Sequence, residues 1–164
     1  MNARTSSQRG AANRDKGARA ERAVVSWLRE NGFPGAERAV RTGYKSGNRT
    51  AIDPGDITGT PGLVWQITDR ADADEPAVIE RRMQETERQR IHANAAYGFF
   101  VVKRRGFADP GRWWVWMPAD VIATLVNGHY IGKDIHFPVR TELAGVVTLV
   151  RRCGFGDLPD GVQT

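Results

Sequence analysis

Apolar positions recur with two different periods along this chain, and each change of period marks an element. Ala20, Ala23, Val24, Trp27 and Leu28 recur at helical spacing, predicting a helix from about Asp15 to Asn31 that Gly32 and Pro34 stop. Arg22, Ser26 and Arg29 fall on its opposite side, whereas Glu21 falls between Leu28 and Val25, at the margin of the apolar arc. A carboxylate placed there needs a cation or hydrogen bonds to offset its desolvation. Ala36 to Arg41 reads as a strand, and Thr42 to Thr50, rich in Gly, Ser, Lys and Arg, as a loop.

From Ile52 to Arg70 the pattern is that of two short strands joined by a Gly/Pro turn at Gly59 to Gly62, a hairpin. Leu63 to Thr68 is an apolar run suited to a sheet core. Alternation puts Gln66, Thr68 and Arg70 on one face of that strand and Trp65 and Ile67 on the other. After an acidic connector, Ala71 to Glu75, Pro76 opens a mostly polar helix to about Asn94, with Ile79, Met83 and Ile91 as a thin apolar edge. Tyr97 to Val102 predicts a buried strand and Trp113 to Met117 a second. Pro118 starts a short helix to Val126, which Asn127-Gly128 ends. Leu143, Val146, Val147 and Val150 fit a helical face between Thr141 and Gly154, with a strand as the alternative because of the β-branched content. The order of elements is that of an α/β domain with a mixed central sheet flanked by helices.

At 164 residues the chain suits one domain. It divides into a basic arm over Met1 to Asn13 that lacks apolar periodicity, a core over residues 14–128, and a C-terminal extension of the same domain over residues 129–164. A net charge of +5 suits a polyanionic partner. The single cysteine, Cys153, excludes an internal disulfide and a Cys-rich metal site. His129 and His136 have no third ligand nearby and read as loop residues. No apolar run approaches the roughly 20 residues of a membrane span, and there is no apolar signal segment, so the expected place is a reducing cytoplasm.

Three clusters carry possible chemistry. Asp56, at the end of one strand and ten positions before Gln66 on the next, has the spacing of a two-strand metal site. Tyr44, Lys45 and Arg49 in the loop suit base stacking and phosphate pairing, as loop solvation also explains. Arg81, Gln84 and Arg88 share one helix face, and Lys103-Arg104-Arg105 ends a strand; both suit DNA phosphates or plain solvation. Three of the five tryptophans lie in Trp113 to Met117, where core packing outweighs a stacking platform.

The Asp, then an apolar strand roughly ten residues on, resembles the core of the PD-(D/E)XK nucleases. The wider chain is similar to the Holliday-junction resolvase-like proteins of actinobacterial phages. The segments that carry this are G-A-R-A-E-R-A-V-V-S-W-L-R-E-N-G-F-P-G-A-E-R, G-D-I-T-G-T-P-G-L-V-W-Q-I, F-F-V-V-K-R-R-G and W-W-V-W-M-P, within about residues 14 to 127. The resemblance implies a restriction-endonuclease-like core, a Mg²⁺- or Mn²⁺-dependent endonuclease acting on branched or structured DNA in recombination, and a homodimer. It assigns Glu21 to the first-helix acid, Asp56 to the central ligand, and the Ile67 carbonyl to the metal. The chain departs from the pattern where Glu-x-Lys is expected, because it has Gln66-Ile67-Thr68. Gln66 keeps an oxygen ligand and removes a charge; Thr68 lacks the lysine's charge, which Arg70 restores if the strand runs that far, or Lys103 or Lys45 from elsewhere. Two readings follow: an endonuclease with a modified site, or a nuclease-fold DNA-binding protein without catalysis.

Overall fold

Tyr97–Val102, the most continuously apolar run, lies inside a four-stranded sheet. The computed structural model describes residues 6–39, 54–128 and 136–157. In chain order the elements are α1 (Ser6–Glu30), β1 (Glu37–Arg38), β2 (Ile57–Thr58), β3 (Leu63–Thr68), α2 (Pro76–His92) and β4 (Tyr97–Val102). A 3₁₀ turn (Pro110–Arg112), β5 (Trp114–Pro118), α3 (Ala119–Asn127), β6 (Pro138–Glu142) and α4 (Leu143–Arg152) follow. The sheet order is β3-β4-β5-β6. β3 and β4 run parallel because α2 carries the chain back between them, whereas β4–β5 and β5–β6 are antiparallel. The chain is thus mixed α/β, with a mixed sheet flanked by helices.

Pairing Trp65 with Phe99 and Ile67 with Val101 aligns the odd-numbered apolar residues of β3 and β4 on one face. That face is covered by Ala20, Val24 and Leu28 of α1, Leu125 of α3, and Leu143, Val146, Val147 and Val150 of α4 in one continuous core. The other face carries Val64, Gln66 and Thr68 beside Gly98, Phe100 and Val102. There α2 packs, and it comes close because Gly98 has no Cβ to meet Thr86 and Arg90. Phe100 and Val102 form a second, smaller cluster with Ala73, Trp114 and Trp116.

The structure departs from the sequence pattern in three places. α1 begins at Ser6, so much of the expected arm is helical. No Pro interrupts the stretch, the helix tolerates Gly10 and Gly17, and propagation from its packed part adds a hydrogen bond per residue without needing an apolar face. β2 and β3 do not form a hairpin ladder: β2 pairs antiparallel with the short β1, and its segment meets β3 in a single parallel bridge, Gly55 to Trp65. Gly59 has φ +75° and lies so close to Gly35 that a Cβ would overlap the Gly35 carbonyl, a fit only glycine allows beside the start of β1. β3 spans Leu63–Thr68, the bounds the pattern gives it, so the strand does not run as far as Arg70. Finally, the helical face of Leu143, Val146, Val147 and Val150 is α4, but a strand the pattern did not show, β6, precedes it and completes the sheet. Among the described residues no helix is long and apolar enough to cross a membrane.

Candidate functional site

Asp56 sits where the β2 segment meets the open edge of β3, and it is 6% exposed. Its N–H donates to the Trp65 carbonyl at 2.8 Å, its own carbonyl accepts from Ala39 N–H at 3.0 Å, and Oδ2 accepts from Ile67 N–H at 2.7 Å. The peptide groups of Trp65 and Ile67 therefore turn toward this edge, while the Thr68 carbonyl turns the other way, to Lys103 N–H at 2.9 Å. A charged acceptor at the edge replaces the strand that Ile67 lacks there. The Ile67 carbonyl faces the same edge as the Asp56 carboxylate.

Glu21 finds the cation its position requires. Arg38 on β1 donates to Oε2 from Nε at 2.8 Å and from Nη2 at 2.6 Å. The pair fastens α1 to the β1–β2 ribbon. Gln66 and Thr68, each 7% exposed, point to the α2 face of the sheet, opposite the face on which α1 packs. Arg70 forks onto Asp72 through Nε at 2.9 Å and Nη2 at 2.8 Å. Those hydrogen bonds hold the Asp72 carboxyl below the usual carboxylate range and raise the Arg70 guanidinium.

The basic residues are distributed in the same manner. Lys103 Nζ pairs with Asp69 at 3.0 Å and stands 5.8 Å over the Trp113 ring. Arg104 pairs with Glu142 at 3.0 Å. Arg105 is exposed, as are Arg81, Gln84 and Arg88 along α2. Tyr44, Lys45, Arg49 and His129 lie outside the described residues. The structure thus brings Asp56 and Ile67 together and leaves Glu21, Gln66, Thr68 and Arg70 in separate surroundings.

Mg²⁺ seeks six oxygen ligands in octahedral array. Asp56 and the Ile67 carbonyl supply the start of such a set. Glu21 is engaged by Arg38, Gln66 lies on the other face of β3, and among the described residues no group of three or more His, Cys, Asp and Glu side chains could hold a metal ion. These residues do not fit the implied site.

A further cluster escapes the sequence pattern. Arg104 lies 3.8 Å over the Phe107 ring and 4.0 Å over Trp114; Arg140 lies 4.3 Å over Trp114 and 5.3 Å over Trp116. Arg112, 5.0 Å over Phe107, shares Glu142 with Arg104. The signal available was the period-two spacing of Trp114 and Trp116, which puts both on one face. No family model matches the chain, and neither does any curated protein or solved structure.

Proposed function

We propose that this chain is a DNA-binding protein of nuclease-like fold that grips phosphates without hydrolysing them. One observation carries the second half of this reading: the side chains read as chemical are held in separate ion pairs or on opposite sides of the sheet. Glu21 is held by Arg38, Arg70 by Asp72 and Lys103 by Asp69, and Gln66 and Thr68 lie across the sheet from α1. The first half is supported by exposed cations along two helices, Arg14, Lys16, Arg19 and Arg22 on α1 and Arg81 and Arg88 on α2, and by the net charge of +5. The restriction-endonuclease-like core belongs to this proposal too, supported by the order α1, β1–β2, β3, α2, β4 with β3 and β4 parallel. So do a preference for branched DNA and a homodimer. The second reading, a Mg²⁺- or Mn²⁺-dependent endonuclease, rests on the shared edge of Asp56 and Ile67.

The test is retention and cleavage of four-way, flapped and linear DNA with Mg²⁺, Mn²⁺ or chelator. DNA is expected to be retained at low salt in all three conditions and left intact. Affinity should fall with salt by a log–log slope of about 0.9 per phosphate contact on duplex. Metal-dependent cleavage that Asp56→Ala removes would establish the endonuclease instead. Failure to retain any DNA at low salt overturns both.

A further inference from the structure

α2 packs mainly on β3 and β4, its Met83, Thr86 and Glu87 lining a small pocket with Trp116, and the same face of β5 and β6 extends beyond it. What lies there is a ladder of alternating planes: Phe107, Arg104, Trp114, Arg140, Trp116. Trp114 and Trp116 are half-buried and Arg140 is exposed. Arg104 and Arg112 share one carboxylate, Glu142, and Arg140 has no acidic partner among the described residues. A face built only to close the core would not carry this excess of positive charge over its rings.

We propose that the β5–β6 face is a stacking platform for single-stranded DNA, with Trp114 and Trp116 receiving bases and Arg140 and Arg104 the phosphates beside them. The proposal rests on the DNA-binding reading above and names a second surface for it. Charge selects a polyanion, and flat rings select bases with exposed faces. Spacing selects the single strand. Trp114 and Trp116 are two residues apart on an extended strand, about 6.6 Å, roughly twice the 3.4 Å step of a stacked duplex strand. Bases that rest on both rings must be splayed apart, which pairing in a duplex forbids. Arg140, lying over both rings and free of a carboxylate, moves to a phosphate and opens the ring faces as a base arrives.

The experiment uses the full chain with oligo-dT of about 12 nucleotides, a duplex of the same length, and oligo-rU, at low salt. Oligo-dT is expected to bind and to quench the intrinsic tryptophan fluorescence. Arg140→Ala, a change at an exposed side chain, should weaken oligo-dT binding about fivefold or more and leave duplex affinity within about twofold. Trp114→Leu with Trp116→Leu should weaken it further, circular dichroism reporting whether the sheet persists; Arg140→Ala decides the matter if it does not. Unchanged oligo-dT affinity in Arg140→Ala, with duplex still bound, overturns the platform and spares the DNA-binding reading. Tighter binding of oligo-rU than oligo-dT overturns the assignment to DNA. If neither duplex nor single strand is retained, the DNA-binding reading itself fails, and the platform with it.

Discussion

Asp56 is a structural acceptor before it is anything else. Replacing it with alanine leaves the Ile67 N–H facing a buried edge without its 2.7 Å partner, an expected loss of about 1–3 kcal/mol. Asp56→Asn retains an oxygen at that place and should lose less. Urea unfolding of the two variants checks this, and equal losses would count against the edge-capping role. Tyr97 gives a second test at the same scale. Its ring packs edge-on against Phe155 at 5.7 Å, and burial pushes its phenol above the ordinary value. A folded-state pKa above the unfolded one means that folding holds the proton. The contribution is therefore full below about pH 10 and is lost as pH rises through the raised value. Tyr97→Phe should flatten the alkaline limb of stability, measured by thermal melts from neutral to strongly alkaline pH.

Among elements, those set by local rules were legible in the sequence. α2 starts at Pro76 as its fixed φ favours, and α3 ends at Gly128, whose φ of 72° closes it. β4 was visible as an unbroken apolar run. β6 was hidden, because Pro-Val-Arg-Thr-Glu has no apolar face of its own and becomes a strand through its pairing with β5. The hairpin reading failed for a related reason: turn residues announced a reversal at Gly59–Gly62, but β2 pairs with β1, beside a close approach of Gly59 to Gly35 that lies far along the chain. That contact can be measured. In Gly59→Ala a Cβ would meet the Gly35 carbonyl at a φ of +75°, so the variant should lose at least about 2 kcal/mol in urea unfolding. A loss below half of that would mean the turn relocates freely.

At the scale of the whole molecule, the polar surface is governed by pairs remote in sequence. Glu21 with Arg38, Lys103 with Asp69 and Arg104 with Glu142 join residues separated by 17, 34 and 38 positions. Motif spacing picked out one member of each pair and had no access to the other, so it read as available chemistry what the fold uses as fastening. The tryptophans divide likewise: Trp65 and Trp113 are buried in the core, while Trp114 and Trp116 are half-buried against the smaller cluster on the other face of the sheet.

The position of α4 sets when this protein can become itself. Leu143, Val146, Val147 and Val150 close the core that α1 opened at Ala20. Each is worth about 1.5–3 kcal/mol when fully buried, so the four together rival the roughly 5–15 kcal/mol that stabilises a typical domain. A chain ending at Gly128 is expected to lack a cooperative thermal transition and to expose α1's apolar stripe to a hydrophobic dye; a sharp melt from that fragment would contradict this. During synthesis, then, the first helix leaves the ribosome long before its last cover does. Until residue 150 emerges, the core that Val24 and Leu28 enter lacks the four apolar side chains of α4.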